Sequence, residues 1–231
     1  MFDKKRIIYE DNHLIAVNKL SGELVQSDAD GNPGLEDTLK DFIKVRDSKP
    51  GAVYLGVIHR IDRPVSGVVI FSKTSKALTR MNEMVKKRQI TKQYMAITES
   101  APKEEVAQLR HFIKRNSSTN RSVALDYPAQ GAKEAVLEYE LICASKNYYL
   151  LAIKLISGRH HQIRAQLSKI GCAIKGDLKY GSPRSNKDGS ISLHARSLEF
   201  AHPVTKQNIK IVAPVPSEDN LWVFFKESLG E

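Results

Sequence analysis

Leu55 to Lys73 constrains the chain more than any other stretch. It reads Leu-Gly-Val-Ile-His-Arg-Ile-Asp-Arg-Pro-Val-Ser-Gly-Val-Val-Ile-Phe-Ser-Lys. Val57-Ile58 leads in and Val68 to Phe71 leads out, and both are short apolar runs of the kind that become buried strands. Between them stand His59, Arg60, Asp62 and Arg63, and Pro64 and Gly67 turn the chain. The pattern is strand, stiff polar turn, strand. As a solvated ion-pair cluster, Asp62 and its two arginines would be worth little. As a carboxylate on a loop anchored at both ends, with cations beside it, Asp62 stays ionised. An ionised aspartate serves as nucleophile or base. Spacing alone leaves these two readings equally balanced.

The rest of the chain supplies further elements. Ile7–Tyr9 and Leu14–Asn18 read as strands around a turn at Glu10 to His13. Leu35, Leu39, Phe42 and Ile43 recur at helical spacing, which predicts a helix over Leu35–Arg46. Thr74 to Arg88 is the clearest helix, with Ala77, Leu78, Met81, Met84 and Val85 on one face and a Ser/Thr cap. Thr91 to Thr98 follows as a strand. Val106 to Ile113 fits a helix or a strand equally, and Arg115 to Arg121 reads as a basic loop. Glu138–Ala144 and Tyr148–Ile156 form a hairpin pattern, and His161 to Ile170 suits a helix ending at Gly171. Leu193–Phe200 and Gln207–Val212 read as late strands, and Asn220–Leu229 as a short helix. This order predicts an α+β fold: one domain over residues 1–231 with a mixed, mostly antiparallel sheet. A division into two lobes would fall near residues 99–135.

The 231 residues are 41% hydrophobic, enough for a real core. The net charge of +10 and pI near 9.5 call for a polyanionic partner, nucleic acid before an acidic membrane surface. From Ser72 to Lys92, seven positive residues (Lys73, Lys76, Arg80, Lys86, Lys87, Arg88, Lys92) face one negative, Glu83. No run of 18 apolar residues exists, and the N-terminus lacks the apolar segment of a signal peptide. Cys143 and Cys172 have no metal or redox spacing and are expected as reduced, buried thiols. A cytoplasmic protein is the expectation.

Two more constellations carry candidate chemistry. Ser157-Gly158-Arg159-His160-His161-Gln162-Ile163-Arg164 ends a strand and starts a helix, where unpaired backbone N–H groups favour anions. Arg159 or Arg164 suits bidentate contact with a phosphate or carboxylate. His160-His161 raises a metal site. Side chains of adjacent helical residues diverge, however, and no carboxylate cluster or His-Glu-x-x-His accompanies them. Lys92-Gln93-Tyr94-Met95-Ala96 by itself fits an ordinary strand. His59-Arg60-Ile61-Asp62 is not a kinase catalytic loop, since neither a Gly-rich loop nor Asp-Phe-Gly is present.

Taken together these segments resemble the RluA-type family of RNA pseudouridine synthases. The likeness runs through the Ile7–Gly22 hairpin and His59-Arg60-Ile61-Asp62-Arg63 with Ser66-Gly67. It continues through Lys92 to Ala96 and Gly158 to Arg164, then Gly176-Asp177 with Tyr180-Gly181, Leu193-His194-Ala195, and Phe200 with His202-Pro203. Leu20 stands where the family usually has proline, and Val65 where it has threonine. The small N-terminal RNA-binding domain of many relatives has no counterpart in these residues.

The resemblance implies a single pseudouridine-synthase catalytic domain with a long bent sheet flanked by helices and loops. It implies an isomerase that detaches uracil from ribose in RNA, turns it and rejoins it through carbon, with neither cofactor nor metal. Asp62 is then the catalytic carboxylate, Arg164 its cationic partner with Arg159 as the alternative, and Tyr94 the stacking and proton-transfer residue. Ile163 belongs to the apolar floor, and Arg159 and His161 to the substrate-binding set. Arg60 would enter the stack vacated by a flipped uridine. His59 and Arg63 would hold the turn. Lys73, Lys76, Arg80, Lys86, Lys87 and Arg88 would meet RNA phosphates, with Arg110 to Arg121 as a second basic region. The expected partner is structured ribosomal or transfer RNA, bound by a monomer and recognised by shape and backbone.

Overall fold

The computed structural model describes residues 2–229. The fold is mixed α/β, built on a large, mostly antiparallel open sheet with four α-helices among the described residues. The α+β class and antiparallel pairing expected from the sequence are therefore observed. The chain divides into two compact units, Met1–Ile90 with Ala195–Pro214, and Thr91–His194 with Val215–Glu231. The division does not fall within residues 99–135, because most of that stretch lies inside one continuous antiparallel ladder.

In the first unit, β1 (Ile7–Glu10) and β2 (Leu14–Lys19) form the opening hairpin. Its turn is built by Asp11, whose Oδ1 accepts from the backbone N–H groups of His13 and Leu14, each at 2.7 Å. α1 (Leu35–Arg46) buries Leu35, Leu39 and Ile43, the face its spacing predicts. The Leu55–Lys73 stretch contains β3 (Gly56–Val57) and β4 (Ser66–Ser72). Every residue of β4 is buried, and it pairs antiparallel with β2 from Leu14↔Ser72 to Lys19↔Gly67. α2 (Ser75–Lys86) starts at Thr74, whose Oγ1 accepts from Ala77 N at 3.2 Å. The helix stops before Arg88, which takes a left-handed conformation at φ 56°. β10 (Leu193–Ala201) and β11 (Asn208–Val212) make a late hairpin. β10 neighbours β4.

In the second unit, β5 (Thr91–Thr98), β6 (Val106–Asn116), β7 (Arg121–Leu125), β8 (Lys133–Ala144) and β9 (Tyr149–Leu155) follow one another in the chain. They lie in the order β5-β9-β8-β6-β7, every pair antiparallel. The undecided Val106 segment is thus an eleven-residue strand. The loop expected over Arg115–Arg121 is the tip of a hairpin, a turn over residues 117–120 with strand on either side, and β8 begins five residues before Glu138. Lys-Glu-Ala-Val-Leu-Glu has good helix formers, and strand pairing overrides them. α3 (Gln162–Lys169) and α4 (Asn220–Lys226) complete the unit. Ile97, Leu150, Val215, Trp222 and Phe225 form one core cluster, and Ile113, Ala124, Ala135, Ala165 and Tyr180 another. Cys172 is buried as expected, whereas Cys143 is half-buried.

Gly67, the second residue of β4, has φ 118°, and a Cβ there would lie 2.3 Å from the carbonyl oxygen of Ala195. Backbone on backbone leaves nothing that can swing aside. Gly67→Ala should lose about 3 kcal/mol or more of stability in a urea titration, whereas Gly51→Ala, with open space around it, should change little.

Candidate active site

Asp62 sits in the turn between β3 and β4, half-buried, and its carbonyl accepts from Val65 N at 3.0 Å. The turn is stitched to the loop after β2. Arg63 O accepts from Gly22 N (2.8 Å) and from Lys19 Nζ (3.1 Å). Arg63 Nε donates to Gly22 O at 3.0 Å, and Ser21 Oγ to Pro64 O at 3.0 Å. His59 Nε2 accepts from Ile70 N at 3.3 Å, tying the turn to β4. Arg63 and His59 therefore hold the turn, as expected. Arg60 is exposed.

Lys19 is the residue that sequence reasoning missed here. It is fully buried, and its ammonium donates to three carbonyls: Leu20 (2.9 Å), Glu23 (2.8 Å) and Arg63 (3.1 Å). Burial pushes its pKa down to about 8, against the pull of the Glu23 and Asp62 carboxylates. It remains charged at neutral pH, with one proton for each carbonyl. Asp62 thus feels a cation from its own unit. The available signal was a lysine at the end of the apolar run Leu14 to Val17, where a solvated charge is out of place.

The basic residues of this unit separate into two kinds. Lys76, Arg80, Lys86, Lys87 and Arg88 are exposed, with Arg80 also donating to Pro203 O at 3.2 Å. Lys73 is only half-exposed and is engaged by Glu10 Oε1 and Asp11 O, each at 2.7 Å.

In the second unit, Tyr94 lies on β5 and is buried. Lys92 is two residues away along the same strand, and burial pushes its ammonium pKa down. α3 carries most of the remaining candidates. Six consecutive residues, Gln162 to Leu167, are buried, so the helix is enclosed and its polar side chains need internal partners. Gln162 Oε1 accepts from Ser157 Oγ (2.9 Å) and Arg159 N (3.0 Å). Arg159 Nε donates to Glu134 O at 3.0 Å. Arg164 meets Asp177 in a fork, Nε–Oδ2 2.7 Å and Nη2–Oδ1 2.9 Å, and both side chains are almost wholly buried. Ile163 is buried beside it.

His161 precedes α3 in a left-handed conformation, φ 51°. The ring planes of His160 and His161 stack at 3.8 Å and 22° instead of diverging, because the left-handed residue breaks the helical geometry that would separate them. His160 Nδ1 meets Ser122 Oγ, and His161 Nδ1 meets the Tyr180 hydroxyl, each at 2.9 Å. Among the described residues, no group of three His, Cys, Asp or Glu is placed to hold a metal ion. Asp177 and Tyr180 were visible in the sequence as a Gly-Asp-x-x-Tyr-Gly block without a role. They are the residues that hold Arg164 and His161.

Residues 13–169 match the family described as RNA pseudouridylate synthase. That span contains Asp62, Tyr94 and Arg164. The chain belongs to the RNA pseudouridylate synthase family. Among curated relatives, it is 34% identical to ribosomal large subunit pseudouridine synthase D of Xylella fastidiosa, over 92% of this chain and 66% of that one. It is 32% identical to ribosomal large subunit pseudouridine synthase C of Buchnera aphidicola, over 90% and 66%. The chain thus spans just under two thirds of the length of these relatives. The solved structure of human RNA pseudouridylate synthase domain containing 4 has the same fold, with a TM-score of 0.78, 24% identity and coverage of 98% of this chain and 92% of that one.

For this pseudouridylate synthase family member, the Arg164–Asp177 fork is the test of how the second half is held. Removing one charge of a buried pair strands the other. Asp177→Asn should cost roughly 3 kcal/mol in a denaturant titration, with a smaller loss for Asp177→Glu. Equal melting of Asp177→Asn and wild type would show that the fork does not position Arg164.

Proposed function

We propose that the protein isomerises uridine to pseudouridine in structured RNA. The family match over residues 13–169, which takes in every residue of the proposed catalytic set, carries this reading. The names of its relatives favour RNA of the large ribosomal subunit over transfer RNA. No helix among the described residues is long and apolar enough to cross a membrane. The enzyme works as a cytoplasmic monomer in this reading.

Asp62 acts as the anion. Attack at the anomeric carbon, attack at the base and assistance to elimination all require it ionised. A turn fastened by Lys19, Ser21, Gly22 and His59 is a suitable mount, because a nucleophile misplaced by about 1 Å can lose 100-fold in rate. Arg164 serves as the cationic partner of Asp62, a role for which the Asp177 fork sets its plane in advance. Arg159, its Nε given to Glu134 O, stays with the substrate-binding set. Tyr94 stacks on the uracil and takes part in the final proton removal, with Ile163 in the floor beneath. Lys76, Arg80, Lys86, Lys87 and Arg88 contact phosphates. Lys73, engaged by Glu10, adds charge to that face with less reach.

Arg60 is the residue for base flipping. Extracting a uridine from a folded RNA costs a few kcal/mol, and an exposed guanidinium on a rigid turn can fill the vacated stack.

Asp62→Asn should bind RNA as wild type does and lose at least about 1000-fold in a tritium-release assay. Normal turnover by that variant would remove Asp62 from the chemistry. Arg60→Ala should lose about tenfold or more on a folded stem-loop and within about twofold on an unstructured oligonucleotide. Equal losses on both would end the flipping role.

A further inference from the structure

A cavity of about 460 Å³ lies in the first unit, at the end of β4 remote from Asp62. The Asp62 turn precedes Ser66 and the cavity residue Lys73 follows Ser72, so the whole strand separates them, about 20 Å at the usual rise. Three parts of the unit line the cavity. They are the β1–β2 turn with Asn12, the end of α1 and the turn after it with Ile43, Asp47 and Lys49, and the β3–β4 junction with Tyr54, Leu55 and Lys73. Backbone bonds fix these parts in place. Gly56 pairs with Ser72, Lys73 N donates to His13 O at 2.7 Å, and Lys49 N donates to Lys44 O at 3.0 Å.

A network of charges frames the same space. Arg46 forks onto Glu10, Nη1–Oε2 2.7 Å and Nη2–Oε1 2.8 Å, and its Nε donates to Asp47 Oδ1 at 2.7 Å. Lys73 Nζ donates to Glu10 Oε1 at 2.7 Å. The two carboxylates are thus answered by Arg46 and Lys73. Lys49, whose charge also acts on Asp47, is the surplus cation, and the group as a whole carries one net positive charge. Ile43 and Leu55 are buried and supply an apolar floor. Tyr54 is 45% exposed. Among the described residues, neither the Tyr54 hydroxyl nor the Asn12 amide has a hydrogen-bond partner.

We propose that this cavity binds one unpaired nucleotide of the substrate RNA, with its base stacked on Tyr54 and its phosphate met by Lys49. This rests on the pseudouridine synthase reading. An aromatic ring beside a cation is the arrangement that holds an unpaired base and its backbone. The Asn12 amide offers both a donor and an acceptor to a base edge. Charge distinguishes a nucleotide within a chain from a free one. A phosphodiester carries a single negative charge and matches the single surplus cation, whereas a free nucleoside monophosphate carries close to two. The polar lining also differs from the mostly apolar enclosure that holds a small-molecule cofactor. Position agrees, because Lys73 leads through Thr74 directly into α2, where Lys76 and Arg80 stand among the residues assigned to phosphates. The cavity thus extends that face, and about six stacked base steps separate it from Asp62.

The test uses the full chain and a transcript of large-subunit ribosomal RNA carrying 4-thiouridine. Irradiation of the wild-type complex should attach RNA within residues 47–55. Adducts confined to other parts of the chain overturn the proposal, and this arm needs no variant to fold. Affinity for the same RNA is then measured by filter binding. Tyr54→Ala should weaken binding about tenfold or more, and Tyr54→Phe, which keeps the ring, should stay within about twofold of wild type. Lys49→Ala should weaken binding and reduce the salt slope by about one. Wild-type affinity in Tyr54→Ala overturns the site. So does a loss seen only on intact large-subunit particles and not on protein-free RNA, which would give the cavity to a protein. Titration with AMP and UMP should show only weak binding, on the order of millimolar. Micromolar binding of either would make this a site for a free nucleotide and overturn the assignment to RNA. Absence of pseudouridine formation by the wild type would instead remove the underlying reading, leaving the adduct and affinity results standing.

Discussion

A charge withdrawn from water must recover its hydrogen bonds inside the protein, and this one requirement organises both units. In the first, the Lys19 ammonium recovers them from three backbone carbonyls, and one of these belongs to the turn that carries Asp62. In the second, the Arg164 guanidinium recovers two of them from Asp177. A cation so placed pins every group that satisfies it, because each lost partner leaves a buried donor unmet. Geometry near the candidate chemistry is therefore enforced by the cost of disorder.

Much of this was legible in the sequence, for identifiable reasons. β4 could be read because four consecutive apolar residues between a glycine and a serine admit little else, and α2 because its apolar positions recur at the helical period. β7 and the first half of β8 were hidden. Arg121–Leu125 has no strong alternation, and Lys133–Leu137 favours helix locally, so their state is set by partners far along the chain. For the candidate site, side-chain chemistry singled out Asp62 and the pair Arg159 and Arg164, whereas Tyr94 entered only through the family resemblance, its segment by itself fitting an ordinary strand. The supporting residues carry no such mark. Ser122 sits in a plain strand, and Asp177 and Tyr180 lie in a glycine-bounded turn of which a sequence reveals the shape and hides the target.

The basic residues divide by the same physics. Lys19 and Lys92 are withdrawn from solvent and shape the interior. Lys76, Lys86, Lys87 and Arg88 reach into solvent, where ionic contacts form without first breaking internal ones. A net charge read from composition merges these populations. The portion available to a polyanion is the exposed one, and in the first unit it is concentrated on α2 and the turn after it.

The discontinuity of the two units bears on how the chain can be assembled. β4 is buried throughout and is paired in its own unit with β2, with β10 and, at Phe71 and Ser72 only, with β3. β2 is made before it, while β10 emerges from the ribosome only after residues 91–194 have been synthesised. For that interval β4 lacks its β10 neighbour and, besides β2, is paired only at Phe71 and Ser72 by β3, and unpaired apolar edges invite wrong pairing. Completion of the first unit is thus a late, long-range event, the kind of closure that makes folding slow. The second unit carries most of its residues in one uninterrupted run and can organise its five-stranded ladder while the first still waits.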